Sequence, residues 1–318
     1  MVDLGRPRFG GEMKIDLNRK GIKENLLLYA ILSPVIVYII IFCYVPMYGL
    51  IIAFQNFLPG SKFLSLGPSV RWVGLKHFID FMSSLYFWRL IRNTLVLSGL
   101  MLTIGFMIPI VFALLLNEVR SLHFKKFIQT ASYLPYFISQ VVVASMVLTL
   151  VAKGGLVNRV FDVIGLAPMA YTTDPNVFPW VYVVSNIWKG FGWSSVIYMA
   201  AISGIDPALY EAAKIDGANR YRQILHITLP AISGTIFILL IFAIGGLLNA
   251  NSEFILLMYN PAIYETSDVI GTYSYRVGIQ GGQFSKTAAI GMFMQVINFT
   301  LLYVANAVSR KVNGFSLW

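Results

Sequence analysis

The sequence is poor in the residues on which soluble, metal-binding or disulfide-bonded proteins depend. Only 12% of its 318 residues are charged, and it has one cysteine and three histidines. A soluble domain of this length would carry about a quarter charged residues, so much of this surface must face something other than water. The lone Cys43 allows no internal disulfide, and His77, His123 and His226 are scattered without metal-type spacing. We therefore expect no bound metal.

Signatures of catalysis and of nucleotide binding are also missing. No G-x-x-x-x-G-K-[S/T] motif occurs, and the run Gly190-Phe191-Gly192-Trp193-Ser194 misplaces its serine for a nucleophile elbow. The net charge of +10 comes mostly from Lys and Arg beside apolar runs, which does not indicate a nucleic-acid partner. We predict a non-catalytic chain that binds no cofactor of its own.

Long apolar runs are abundant, and 57% of the residues are hydrophobic. A bilayer core of about 30 Å needs roughly 20 mainly apolar residues in a helix. Because backbone groups in lipid must be satisfied within each segment, helices are the expected structure. The sequence predicts an all-α integral membrane protein whose six transmembrane helices are Leu26–Phe54, Leu90–Leu116, Ala131–Ala152, Val177–Ser203, Leu229–Met258 and Thr287–Val308.

The distribution of basic residues predicts the orientation. If the N-terminus is inside, the inner segments 1–25, 117–130, 203–230 and 309–318 hold 14 of the 24 Lys and Arg residues. This bias follows the positive-inside rule and places both termini in the cytoplasm. The first apolar run is too long for a signal peptide, so we interpret it as an uncleaved span. We divide the chain into a cytoplasmic segment 1–25, a membrane domain 26–310 and a cytoplasmic tail 311–318.

The most informative stretch is polar and lies between two apolar segments. A carboxylate at Asp206 followed by Pro207 predicts the start of a helix, and Gly217 predicts its end because glycine readily takes a positive φ. A second helical run follows and leads to Pro230. The spacing predicts a shared face of the first helix for Leu209, Ala212, Ala213 and Asp216. The small alanines on this face would let a second protein come close. The alternative is an ordinary amphipathic connector.

This stretch resembles the EAA loop of permease subunits from bacterial binding-protein-dependent ABC importers. The family pattern is E-A-A, three residues, G, nine residues and I-x-L-P, and it is matched by Glu211, Ala212, Ala213, Gly217, Ile227, Leu229 and Pro230. The D-G-A form at 216–218 is common in the carbohydrate branch. Trp72-Val73-Gly74-Leu75-Lys76-His77-Phe78 is similar to an element of sugar permeases, with His77 in place of the usual Asn. The resemblance covers about residues 25–310 and is nearest to permeases related to LplB, which are relatives of the maltose transporter's larger permease subunit.

The resemblance implies a type I ABC importer permease fold in a bacterial inner (plasma) membrane. It implies that residues 206–230 form a coupling loop, with ATPase contacts from Leu209, Glu211, Ala212, Ala213, Asp216 and Gly217. The implied partners are a second, homologous permease, two ATP-binding subunits that hydrolyse Mg-ATP, an extracytoplasmic solute-binding protein and a carbohydrate substrate.

Polar residues at membrane depth are the candidates for the substrate path, because such residues are costly in lipid. We hypothesise that the path is lined by Asn186, Lys189, Trp193, Asn249, Asn251 and Glu253. The amides could instead join helices by hydrogen bonds, and Lys189 and Glu253 could pair with each other or lie at the outer mouth. A cation at Lys189 would favour an acidic glycan, such as an alginate-type uronide oligosaccharide.

Two other classes of protein remain open from the residues alone. A six-span secondary transporter or channel driven by an ion gradient would show internal repeats with broken helices near mid-membrane, and no convincing repeat is visible. A scaffold without transport would explain the polar loop but not the polar residues at depth.

Overall fold

The computed structural model describes residues 26–58, 60, 70–168, 170–171 and 173–318. The predicted cytoplasmic segment 1–25 lies outside them. The chain divides into two compact units whose boundary falls between Ile51 and Ile52. In the described ranges the secondary structure is helical, with no β-strand beyond a single isolated bridge between Gln55 and Trp72. The predicted all-α class is confirmed.

The described part of the first unit, from residue 26 onward, is helical and apolar. Helix α1 (Leu26–Ile39) continues through a π-helical turn (Ile40–Tyr44) and the short α2 (Val45–Met47) into a 3-10 segment (Tyr48–Phe54). Its large side chains, including Tyr38 and Phe42, are exposed and apolar. A helix that is apolar on all sides needs a nonpolar surrounding such as lipid.

The second unit contains the remaining helices of the described chain. They are α3 (Lys76–Met82), α4 (Phe87–Leu100), α5 (Phe106–Asn117), α6 (Leu122–Tyr133), α7 (Gln140–Val151), α8 (Leu156–Val163), α9 (Phe178–Ser203), α10 (Pro207–Ile215), α11 (Arg220–Gln223), α12 (Leu229–Gly245), α13 (Ser252–Met258), α14 (Tyr264–Ser267), α15 (Ile270–Tyr275) and α16 (Phe284–Asn313). Three π-helical segments extend these helices. Met101–Gly105 joins α4 to α5, Ile224–Thr228 joins α11 to α12, and Arg276–Gln280 directly follows α15. Two short 3-10 turns complete the list, at Leu134–Phe137 and Pro261–Ile263.

Five helices of the described chain are long and apolar enough to cross a membrane. They are Leu28–Phe54, Phe87–Asn117, Gln140–Val163, Arg220–Gly245 and Phe284–Asn313. Each overlaps a predicted span. The remaining predicted span, Val177–Ser203, is the 26-residue helix α9, which is not among the five. It carries polar residues such as Asn186 and Lys189, which lower its hydropathy.

The predicted third span, Ala131–Ala152, is wrong in its first part. Helix α6 ends at Tyr133, a 3-10 turn follows, and Ile138 and Ser139 are extended before α7 begins. Pro135 lies in the turn and has no backbone N–H for a continuing helix. Ser139 then starts α7 as its N-cap, accepting a hydrogen bond from the backbone N–H of Val142 at 3.3 Å.

The predicted fifth span, Leu229–Met258, is also interrupted. Helix α12 ends at Gly245, and α13 begins only at Ser252. The Asn298 side chain of α16 satisfies part of this break, because its Oδ1 accepts from the Leu248 N–H and its Nδ2 donates to Asn249 Oδ1, both at 3.1 Å. Irregular backbone at membrane depth is tolerated where protein surrounds it or where it lines a cavity.

Two of the three apolar cores described in the second unit involve α9. The first core includes Leu97, Tyr182 and Phe254, and the second core includes Ile110 and Ile232. Helix α9 contributes to both cores and packs along α5, while α12 packs along α16. The α4–α5 helix also runs through both cores, so it links the two ends of the unit.

The C-terminal residues fold back on α16. This helix reaches Asn313, beyond the predicted end of the membrane domain, and Gly314 stops it with a φ of +73°. Ser309 Oγ then donates to the Phe315 carbonyl at 2.8 Å, and the Leu317 N–H donates to Asn306 Oδ1 at 2.7 Å. The division of the chain at residue 310 stays a prediction.

Candidate functional site

The polar loop forms the predicted capped helix. The Asp206 carboxylate accepts a hydrogen bond from the Ala208 N–H at 2.9 Å, and Pro207 is the first residue of α10. At the other end Gly217 has a φ of +73°, and the Ala218 N–H donates to the Ala213 carbonyl at 2.8 Å. The predicted start and end of this helix are confirmed. Its structure follows from local signals in its own sequence.

Two polar contacts tie this loop to membrane helices. The Tyr210 and Thr228 hydroxyls share a hydrogen bond of 2.9 Å, which joins α10 to the π-helical start of α12. The Arg220 guanidinium forms an ion pair of 2.9 Å with Glu118 and also donates to the Glu118 carbonyl at 3.1 Å. Glu118 directly follows α5. A displacement of the loop would therefore act on both α5 and α12.

The outward surface of α10 is available for a partner. Among the predicted ATPase-coupling residues, Ala213 is half-buried and the rest are exposed, namely Leu209, Glu211, Ala212, Asp216 and Gly217. Two apolar side chains missed by the sequence reasoning are also exposed, Ile215 at 87% and Tyr221 at 68%. Large apolar groups exposed together mark interaction surfaces. Neither Ile215 nor Tyr221 is a fixed position of the family pattern, so the pattern offered no reason to select them for partner contact. The ATPase-coupling role of the six residues stays a prediction.

A cavity of about 660 Å³ lies beside the break that precedes α13. This is within the usual range for ligand pockets. Its walls come from α4, α5, α9, α12 and the break itself. Four of the six predicted path residues line it, namely Asn186, Trp193, Asn249 and Asn251.

The amides on the wall also join helices. Asn251 Nδ2 donates to Asn186 Oδ1 at 2.9 Å, which links the break to α9. The Asn251 N–H donates to the Tyr182 hydroxyl at 3.0 Å, and its side-chain Oδ1 accepts from the Phe254 N–H at 3.2 Å as the N-cap of α13. These hydrogen bonds join helices, which was the alternative to a role in the substrate path. The same side chains also border the cavity. Asn249 is exposed and offers the more accessible amide.

Aromatic side chains also line the cavity. Trp193 is 42% exposed, and its ring stacks on Tyr136 with centroids 5.0 Å apart and planes 11° apart. Tyr182 and Tyr198 also line the cavity and were missed by the sequence reasoning. An aromatic residue in an apolar run gives no signal of whether it faces lipid, core or cavity.

Lys189 and Glu253 are not among the residues that line this cavity, and their place in the substrate path stays a prediction. Lys189 Nζ donates to the carbonyls of Tyr136 and Ile138, at 2.9 and 2.8 Å, so it satisfies groups freed by the break before α7. Glu253 is exposed in the first turn of α13. Among the described residues they form no ion pair with each other.

These features define a class of protein. Helices long and apolar enough to span a membrane, a cavity with amides in its wall beside a broken helix, and an exposed capped helix together define a membrane subunit of a transporter. The broken helix alone would also fit a secondary carrier.

Comparison with known proteins gives the family. Residues 105–314 match the family described as "Binding-protein-dependent transport system inner membrane component". The chain is 44% identical to the polygalacturonan/rhamnogalacturonan transport system permease protein YteP of Bacillus subtilis (strain 168) over 285 residues, covering 89% of this chain and 88% of YteP. It is 38% identical to protein LplB of the same organism, covering 93% and 92%.

A solved structure agrees. The fold is similar to a crystal structure of a bacterial ABC transporter involved in the import of the acidic polysaccharide alginate, with a TM-score of 0.84 and 44% identity. The alignment covers 92% of this chain and 98% of that chain. The chain belongs to the family of inner membrane components of binding-protein-dependent transport systems, and it has the ABC importer permease fold. The resemblance stated from the loop is confirmed, and a secondary carrier is not favoured.

Proposed function

We propose that this chain is one of two homologous permease subunits in an ATP-driven carbohydrate importer of a bacterial inner membrane. Two ATP-binding subunits hydrolyse Mg-ATP, and an extracytoplasmic binding protein delivers the sugar. The observation that carries the proposal is α10, an exposed capped helix bearing the E-A-A…G pattern in a member of this family. Because the nucleotide belongs to the partner subunits, this chain needs no cofactor.

The proposed topology has six spans with both termini in the cytoplasm. Helix α9 is the sixth spanning helix, because its 26 residues extend to roughly 39 Å, more than a bilayer core needs. Its polar groups face protein and cavity rather than lipid, as intramembrane polar residues do. Residues 26–310 form the membrane domain between cytoplasmic segments 1–25 and 311–318.

Coupling runs from the loop into the helix bundle. Closure of the ATPase dimer moves α10, and the Tyr210–Thr228 and Arg220–Glu118 contacts transmit that motion to α12 and α5. Both helices border the cavity. A rigid-body shift of packed helices therefore changes the access of the cavity between the two sides of the membrane.

The proposed substrate is an acidic oligosaccharide. YteP is named for polygalacturonan and rhamnogalacturonan transport, and the structural relative is an importer of the acidic polysaccharide alginate. The cavity supports a sugar because it offers amides for hydroxyl groups and an aromatic face for a pyranose ring.

Reconstitution tests this function. The chain is placed in proteoliposomes with its second permease, its ATPase and its binding protein, and uptake of labelled trigalacturonate is measured. We expect uptake that requires ATP and the binding protein. Uptake driven by an ion gradient with no ATPase present would contradict the proposal and favour a secondary carrier.

The aromatic wall gives a prediction with a matched control. Trp193→Ala removes the indole that lines the cavity and is expected to lower uptake about tenfold, because truncating an aromatic group at a binding surface often costs more than 1 kcal/mol. Trp188→Ala on the same helix removes a similar ring that borders a separate apolar groove, and little change is expected. The measurement is the initial rate of sugar uptake, with equal amounts of each variant in the membrane. Equal rates for the two variants would exclude Trp193 from the path.

A further inference from the structure

The cavity has no fixed charge for an acidic sugar. All residues lining it in the described part of the chain are uncharged. A carboxylate moved from water into such surroundings loses hydration and gains no counter-charge. A permease for acidic glycans therefore needs cationic groups elsewhere along the path.

A group of cations lies at the start of α4. We call Arg89, Arg276, Lys286 and Asp268 the outer cationic cluster. Asp268 is fully buried, and its Oδ2 accepts from Arg89 at 3.1 Å and from Arg276 at 2.8 Å. Its other oxygen accepts from the Thr272 hydroxyl at 2.9 Å. The buried carboxylate is fully engaged inside the protein.

The cluster keeps a surplus of positive charge. It contains three cations and one carboxylate, and the side chains of Arg89 and Arg276 remain 32% and 28% exposed. Lys286 forms no ion pair within the described residues, and its Nζ lies 5.8 Å from the Tyr273 ring centroid. Burial alone would lower the pKa of Arg276, but the hydrogen bond and charge of Asp268 outweigh it and raise that pKa.

Aromatic rings lie next to each of these three cations. The Arg276 guanidinium lies 5.9 Å from the same Tyr273 ring that Lys286 contacts. Tyr273 in turn lies 6.0 Å from Tyr86, whose ring carries Arg89 at 5.0 Å. Tyr273 is buried, whereas Tyr86 is 47% exposed, so Arg89 and Tyr86 together offer an acidic sugar both charge and an apolar ring face.

The cluster is at the opposite end of the α4–α5 helix from the coupling loop. Arg89 precedes Glu118, the partner of Arg220, by 29 residues, or roughly 40 Å of helix. The cavity residue Ser98 lies between them, about 14 Å from Arg89 along the helix. With the coupling loop in the cytoplasm, the cluster is on the outer side of the cavity.

We propose that the outer cationic cluster binds the carboxylates of an acidic oligosaccharide on its way from the binding protein to the cavity. It thereby sets the preference of the importer for charged over neutral glycans. This inference rests on the proposed function and identifies which residues of this chain recognise the charge.

Lys286 tests the proposal because it lies outside the Asp268 ion pairs. In the reconstituted complex, Lys286→Gln is expected to raise the apparent KM for trigalacturonate at least about fivefold, while Lys286→Arg restores it. Uptake of the methyl-esterified, uncharged trisaccharide is expected to stay unchanged. The matched control is Lys153→Gln, an exposed lysine in the turn before α8, which should leave both sugars unaffected.

Three results would overturn the proposal. An equal loss for the charged and esterified sugars would assign Lys286 a structural role. A loss of affinity for the binding protein, measured without uptake, would assign the cluster to protein docking. If the wild-type complex transports trigalacturonate and Lys286→Gln leaves that uptake unchanged, only this inference is contradicted. If the wild-type complex shows no ATP-dependent uptake, the proposed function is contradicted as well.

Discussion

Gly217→Pro is expected to abolish ATP-driven uptake while the chain remains in the membrane. Gly217 has a φ of +73°, whereas proline is fixed near −65°. Its N–H also donates to the Lys214 carbonyl at 3.1 Å, a bond that proline cannot make. The end of α10 and its connection to α11 would be lost, so ATPase closure could no longer move the helix bundle.

Gly217→Asn is the matched control. Asparagine tolerates the left-handed conformation better than other non-glycine residues, so most of the uptake should remain. The measurements are uptake and binding-protein-stimulated ATP hydrolysis in proteoliposomes, at chain levels equalised by immunoblot. Retained stimulation in the proline variant would show that this helix does not couple the ATPase to transport.

Asp268→Leu is expected to cause the largest loss of stability. The carboxylate is fully buried between two guanidinium groups, and its removal leaves both without their counter-charge. Breaking a buried ion pair from one side costs about 3–5 kcal/mol, and the partial exposure of the arginines favours the lower end. Thermal unfolding in detergent should show a clear fall in Tm.

Glu265→Gln provides the comparison on the neighbouring helix. The contacts of Glu265 with Arg92 and Asn93 use its backbone carbonyl, at 2.7 and 2.9 Å, and its side chain is exposed. The substitution should leave Tm within about a degree, since surface changes seldom exceed 0.5 kcal/mol. An Asp268→Leu variant that unfolds at the same temperature as Glu265→Gln would contradict the importance of the buried carboxylate.

Both ends of α10 could be predicted from the sequence because their signals are local. Asp206, Pro207 and Gly217 each act on backbone groups within a few residues of their own position. The apolar spans were equally accessible, since hydropathy over about 20 residues reports the bilayer directly.

The broken helices were not predictable from hydropathy, because hydropathy averaged over about 20 residues stays apolar across each break. The interruption after Gly245 is stabilised by Asn298, which lies about 50 residues further along the chain. The partner of Asp268 on α4 is Arg89, 179 residues away. Contacts over such separations depend on how the helices pack, and a single sequence does not report them.

The side chains that line the cavity were also only partly predictable from a single sequence. Polarity at membrane depth selected Asn186 and Asn251, which line the cavity, and also Lys189, whose amine donates to two backbone carbonyls. The role of all three in the substrate path stays a prediction. Hydropathy reports the depth of a residue in the bilayer and leaves its direction around the helix undetermined.

The most direct test asks whether an ATPase subunit contacts α10. The native cysteine is removed by Cys43→Ser, and single cysteines are introduced as Leu209→Cys, Ala212→Cys or Ile215→Cys. The control is Lys153→Cys, at an exposed position in the turn before α8. We predict cross-links to the ATP-binding subunit from the three α10 positions and none from position 153. Absence of any cross-link from α10, together with uptake that continues without the ATPase, would contradict the assignment of this chain as an ABC importer permease.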